Sequence, residues 1–214
     1  FFEIFDSSNT LRLRCDGFQD TAFVVSRDMF NRIELTPVYG GALFGKRVIV
    51  DPEFGGEEAG GRGTFGVRGC DVSLKIAQRL AERLKRAGAK AVLTREADES
   101  RFNSERIVLA KGPDDLYLIV RADSIYAKPY VAHVPESRYG GVFAKALKSV
   151  FDVELKEAYS YVMRQTPCTA VTVSLIPLQS SDPLAPNMID AASSALFLAT
   201  VGYFKTLNDS SMTH

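Results

Sequence analysis

Four short stretches of this 214-residue chain place side chains with chemical capacity directly after apolar runs. They are Asp51-Pro-Glu-Phe54, Thr94-Arg95-Glu96, Val120-Arg121-Ala122-Asp123 and Val173-Ser174-Leu175-Ile176. The carboxylates of Asp51, Glu53 and Asp123, the guanidinium of Arg121 and the hydroxyl of Ser174 suit anion binding or proton transfer if they share one cleft. They share one if the preceding runs are parallel strands, because an open α/β sheet carries its sites beyond the carboxyl ends of its strands. After the first stretch comes a glycine-dense segment, Gly55 to Gly69, which marks backbone that turns left-handed or approaches a neighbour closely.

The elements needed to position these groups are legible. Val48-Ile49-Val50, stopped by Asp51 and Pro52, reads as a strand covered on both faces. Apolar residues at Val72, Leu74, Ile76, Ala77, Leu80, Ala81 and Leu84 have helical spacing over 71–87, with Asp71 the expected N-cap and Gly88 the expected C′ residue. Lys90 to Thr94 is a second strand, so a right-handed crossover follows. A short helix from Asn103 or Ser104 to Leu109, a strand over Asp115–Arg121, another over Tyr130–Val134 and a helix opened by Glu136 or Ser137 come next. Residues 154–165 fit helix or strand, with Tyr161-Val-Met reading as extended. A strand over Thr169–Ile176 and a closing helix over Asn187–Thr206 complete a three-layer α/β domain, its sheet mostly parallel with helices on both faces. Residues 1–45, with short alternating pieces between polar turns, predict a small β-rich appendage or the tail of an upstream domain. The main domain is then 46–207, followed by a frayed tail over 208–214.

Composition excludes some classes of function. Lys plus Arg and Asp plus Glu number 26 each, so no global field draws the chain to nucleic acid or anionic lipid. No apolar run reaches the roughly eighteen residues of a membrane span, and the longest, 191–204, is broken by Ser193, Ser194, Thr200 and Gly202. A start at Phe1 leaves room for an upstream signal peptide or domain. Cys15, Cys70 and Cys168 lack CxxC spacing and read as isolated thiols, with one bridged pair left open. Of two histidines, His133 reads as a strand residue and His214 lies in the tail. Glu57, Glu58 and Asp71 read as loop charges and a helix cap rather than paired catalytic acids.

The pattern VIVDPxxGGxxxG followed by DVxLxIAxRLAxxLxxxGAKxVLTR, over residues 48–95, resembles the catalytic domain of the zinc-dependent N-acetylmuramoyl-L-alanine amidases of the amidase type 3 family, bacterial enzymes that trim peptidoglycan. The similarity runs on through Ser104-Glu-Arg106, the strand at 116–122, Tyr161-Val-Met-Arg164 and the strand at 170–174, covering roughly 46–207. The resemblance implies one zinc held by His, Glu and His, with a second Glu as acid/base. At the matching positions this chain has Phe54, Gly69, Arg121 and Ser174. Phenyl, glycine and guanidinium groups offer a metal no lone pair. The expectation is therefore a family member with no zinc, no cofactor and no enzymatic activity, whose cleft binds peptidoglycan fragments or a cell-envelope protein in a periplasmic or extracellular setting. Arg121 is expected either to bind an anion or to pair internally with Glu53, Asp51 or Asp123. Two alternatives remain: a hydrolase with metal-independent chemistry at Arg121, Glu53 and Ser174, and an assembly module using residues 1–45.

Overall fold

The computed structural model describes residues 4–7, 10–13, 22–27, 33–38, 41–113, 115–122, 124 and 128–211. Four strands come first: β1 (Ile4–Ser7), β2 (Thr10–Leu13), β3 (Ala22–Arg27) and β4 (Ile33–Val38). They pair antiparallel as β1 with β2 and β3 with β4, in agreement with the β-rich reading of this segment.

The rest is built on six strands. β5 (Arg47–Pro52) leads through the glycine-rich segment into α1 (Gly69–Arg86), followed by β6 (Lys90–Leu93), α2 (Asn103–Ile107), β7 (Leu116–Arg121) and β8 (Tyr130–His133). Then come α3 (Arg138–Lys148), β9 (Glu154–Glu157), α4 (Tyr161–Gln165), β10 (Thr169–Ser174) and α5 (Pro186–Ser211). The strand order is β6-β5-β7-β10-β8-β9. All neighbouring pairs are parallel except β10 with β8, which run antiparallel.

Strand parity divides the core. Val48, Val50, Leu116, Leu118, Val120, Val171 and Val173 face α1, α3 and α5, joining Ile76, Leu80, Phe143, Leu196 and Phe204 in the larger cluster. Ile49, Tyr117, Ile119 and Ala170 face the other way, against Val162 and Met163 of α4. The second layer consists of two five-residue helices, so this face is covered thinly. Everything placed at odd positions of β5 and β7, Asp51 and Arg121 included, comes out on it.

Local signals explain most element boundaries. Gly88, at φ +86°, ends α1, with Ala89 N–H donating to Leu84 O and Gly88 N–H to Lys85 O in a Schellman arrangement. Ser137 caps α3 by accepting from Gly140 N at 3.0 Å. Three expectations change. Asp71 is not the N-cap of α1: the helix begins at Gly69, and Asp71 lies in its first turn, held by Arg68. Residues 161–165 are helical rather than extended, because the Ser160 hydroxyl accepts from Met163 N and nucleates a turn. The closing helix continues to Ser211, past Asn208 where the tail was expected to begin. The expectations for Cys15, Asp123 and His214 lie outside the described residues.

Candidate functional site

At the carboxyl edge of the sheet, β5, β7 and β10 end side by side. Pro52 is in register with Val120 and Ser174 with Arg121, and Glu53 N–H donates to Val120 O at 2.9 Å. Glu53, Arg121 and Ser174 therefore emerge on the same face, the one covered by α2 and α4.

Arg121 is held on two sides. Its Nε lies 3.0 Å from Glu53 Oε2, and its guanidinium carbon sits 5.1 Å from the centroid of the Phe54 ring. Its side chain remains 30% exposed. Phe54 takes a left-handed backbone, φ +67°, and its ring lies on Gly60, where a Cβ would stand 2.4 Å from Phe54 Cδ2. Of the partners expected for Arg121, Glu53 is in place and Asp51 is taken up by Arg106, while Asp123 lies outside the described residues. Ser174 is 5% exposed and stands beside Arg121 on the neighbouring strand.

Asp51 has a different role from its neighbours. It is fully buried and accepts from Thr94 Oγ1 at 2.6 Å, Tyr117 OH at 3.0 Å and Arg106 Nε at 3.1 Å. This cluster joins β5, α2, β7 and the residue after β6. Burial works against the charge on Arg106, yet Asp51 outweighs it and the guanidinium is held above its ordinary value. Burial first, and then the adjacent Asp51 charge, push the Tyr117 phenol up as well. The space between Asp51, Phe54, Arg95 and Arg106 is about 20 Å³, room for roughly one water molecule.

The glycine-rich segment is tied down by two arginines, Arg95 and Arg68. Arg95, 3% exposed, donates from Nε to Pro52 O, from Nη1 to Ala97 O and from Nη2 to Cys70 O at 2.8–2.9 Å. Burial lowers its pKa. Arg68 bridges Asp71 (2.7 Å) and Asp98 (2.6 Å), and Asp98 also accepts from Gly56 N at 2.8 Å. The Arg68 hydrogen bond holds the Asp98 carboxyl below its usual range. Gly69 begins α1 because a Cβ there would stand 2.2 Å from Ala122 O and 2.8 Å from Gly60 O. Cys70, Asp71 and Asp98 each bring a ligand atom within 4.8 Å of the others, a set that a metal ion accepts. Both carboxylates are engaged by Arg68, and burial raises the Cys70 thiol. Arg95 had a sequence signal as part of a strand-end stretch, and Arg106 through the Ser-Glu-Arg run; Arg68 and Asp98 are 30 positions apart, and no local pattern joins them.

A larger cavity of about 250 Å³ lies at the opposite edge of the sheet, lined by Val134, Ser137, Met163, Arg164, Cys168 and Ala170. It is remote from the strand ends that carry the candidate residues.

Against known proteins, the family model described as N-acetylmuramoyl-L-alanine amidase matches residues 48–181, more than half of the chain. The chain belongs to the N-acetylmuramoyl-L-alanine amidase family. Solved structures agree on the fold of this amidase-family chain. The amidase AmiC2 of Nostoc punctiforme superposes with a TM-score of 0.64 at 22% identity, over 76% of this chain and 97% of that one. The N-acetylmuramoyl-L-alanine amidase from Clostridium difficile 630 gives 0.67 at 18% identity, over 75% and 97%. The CwlD amidase from Clostridioides difficile, solved in complex with the GerS lipoprotein, gives 0.65 at 15%, over 75% and 99%. No curated protein is a significant match. The expectation that the chain is not an enzyme is corrected by this membership. The family is one of amidases, and Cys70, Asp71 and Asp98 form a metal-compatible set that the sequence reading did not assemble. Among the described residues no helix is long and apolar enough to cross a membrane.

Proposed function

We propose that this chain engages peptidoglycan fragments at the carboxyl edge of its sheet, in the cell envelope, with Arg121 as the anchor for an anionic group of the peptide stem. The observation that carries the reading is the placement of Arg121. Its guanidinium is stacked on Phe54, paired with Glu53 and partly exposed at the position where the family resemblance puts a zinc ligand. The residues at the implied zinc positions do not fit the metal. Phe54 and Gly69 have no donor atoms, and Arg121 is a fixed cation. A guanidinium offers five N–H donors in a planar fork that matches a carboxylate, so the same cleft keeps a positive centre for an anionic substrate group. In this reading residues 1–45 form a unit of their own beside the 46–207 body, and a cell-envelope protein is a second partner class.

The test is calorimetric titration with soluble muropeptides whose stem carboxylates are free or amidated. Free stems are expected to bind, amidated stems less tightly, and Arg121→Ala to weaken binding by about tenfold or more, as loss of a charge-assisted hydrogen bond does. Equal affinity for both stems, or an Arg121→Ala variant that binds like wild type, would refute the anchor.

A second reading is hydrolysis in the same cleft, and one observation favours it: Ser174 is in register with Arg121 and shares a face with Glu53. It requires release of stem peptide from purified peptidoglycan that survives chelation and disappears in Ser174→Ala.

A further inference from the structure

The glycine-rich segment carries a finger that the proposed anchor does not use. Arg62 and Arg68 face each other across an antiparallel bridge, Gly63 N–H donates to Val67 O at 2.8 Å and Gly66 N–H to Gly63 O at 3.2 Å. A single 3-10 turn over Thr64–Gly66 closes the tip. The base is clamped to the body, since a Cβ at Gly63 would lie 2.1 Å from Leu178 O and one at Gly61 2.8 Å from Ser124 Oγ. The finger therefore stands between the loop bearing Phe54 and the segment that follows β10, at the mouth of the cleft.

At its tip is Phe65, 91% exposed, in a left-handed backbone conformation of φ +58° and ψ +21°. Both features cost the protein something. The ring gains little burial, and the backbone is one that glycine adopts freely and a residue with a Cβ does not. Phe102, exposed to 78%, has an ordinary extended backbone, and Phe44, exposed to 80%, lies beside Gly88 at the far end of α1. Phe65 is thus the exposed aromatic that the fold retains against its own backbone preference. Next to it, Arg62 is exposed and donates to Gly66 O at 3.5 Å; no carboxylate is in ion-pair contact with it among the described residues. A flat apolar ring on a rigid stalk, with a cation at its foot, matches a sugar whose ring has an apolar C–H face and whose substituent carries an anion.

We propose that Phe65 is the stacking platform for a pyranose ring of the glycan strand, and that Arg62 receives an anionic group of the peptide attached to it. The assignment rests on the peptidoglycan reading above and adds the glycan to the stem as something this cleft recognises.

The experiment titrates muramidase-released glycan-peptide fragments, and the same fragments stripped of peptide, into the full chain. Phe65→Gly removes the ring and relieves the left-handed backbone, so its thermal midpoint stays level or rises while affinity for both ligands falls about three- to tenfold, the scale of one aromatic stacking contact. Phe65→Trp restores binding. Arg62→Gln weakens binding of the peptide-bearing fragment and leaves the same fragment with amidated stem carboxylates unaffected. If wild type binds and Arg121→Ala weakens it while Phe65→Gly binds as wild type does, the platform is refuted and the anchor stands. If wild type binds neither ligand, both fall. A Phe65→Gly protein that keeps glycan affinity but loses a protein partner would reassign the finger to a protein interface and overturn the proposal.

Discussion

Replacing Asp51 with asparagine tests whether this carboxylate holds the site up or takes part in it. The carboxylate is fully buried and receives hydrogen bonds from Thr94, Tyr117 and Arg106, whose own side chain is 12% exposed. In Asp51→Asn the volume is kept and the charge is lost. Arg106 is left as a buried cation, and the new amide N–H₂ points at groups that are themselves donors. Removing one partner of a buried pair costs about 3–5 kcal/mol, a large part of the roughly 5–15 kcal/mol that holds a domain together. At about 2–4 °C per kcal/mol for a chain of this size, the thermal midpoint should fall by roughly 6–20 °C. Urea unfolding followed by circular dichroism gives the same quantity as a shift of midpoint at constant slope. The double variant Asp51→Asn, Arg106→Met should recover part of the loss, because it removes the stranded cation together with its partner. A single variant that loses less than about 1 kcal/mol, with no recovery in the double, would refute the assignment of Asp51 to the core.

Other perturbations read different parts of the same edge. Gly69→Ala, which in an ordinary helix interior would stabilise, should cost about 3 kcal/mol or more by urea denaturation, because its Cβ meets backbone oxygens of Ala122 and Gly60 at 2.2 and 2.8 Å. Asp98 has a folded pKa held below its ordinary value, first by the Arg68 hydrogen bond and then by that of Gly56 N–H. Its contribution is therefore complete above the ordinary carboxylate range and lost as pH falls through the depressed value; Arg68→Gln should flatten the stability profile below about pH 4. Burial pushes the Cys168 thiol up to about 12 and raises the fully buried Cys70 as well. Mapped alkylation at pH 8 should leave both unlabelled in the native protein and label both in urea; native labelling of Cys70 would contradict its burial.

The body of the fold was legible because two periodicities point the same way. The apolar runs at 48–50, 116–120 and 169–173 are strands covered on both faces, and the 3.6-residue pattern from Val72 to Leu84 is the stripe that α1 buries against them. What failed was local. Asp71 looked like a cap because it precedes the apolar stripe, but the helix starts two residues earlier, where the close approach of Ala122 O requires a glycine. Tyr161-Val-Met looked extended because its residues suit strands, and Ser160 turns it into a helix by capping. The site was half legible. Strand ends named Glu53, Arg121 and Ser174, and parity brings those three to one face. The same parity brings Asp51 to that face, but two residues deeper, under α2, where Arg106 claims it. Depth along a strand is invisible to a pattern that only alternates.

The glycine segment shows why architecture survives changes that chemistry does not. Gly60, Gly61, Gly63 and Gly69 each have a close neighbour, respectively Phe54, Ser124, Leu178 and Ala122, and at Gly63 and Gly69 that neighbour is a backbone oxygen past the end of another strand. Such constraints depend on where the strands end and not on what the loop holds, so they keep the loop in shape whatever occupies position 54 or 121. The side chains at those positions answer to one another instead. Phe54 supplies a ring face and Glu53 a carboxylate, and Arg121 uses both. If that coupling is real, Phe54→Ala and Arg121→Ala should be non-additive in muropeptide affinity, since each removes the same guanidinium placement, whereas Gly63→Ala should act on stability and add independently to either. Additive effects of Phe54→Ala and Arg121→Ala would mean that the ring does not position the cation.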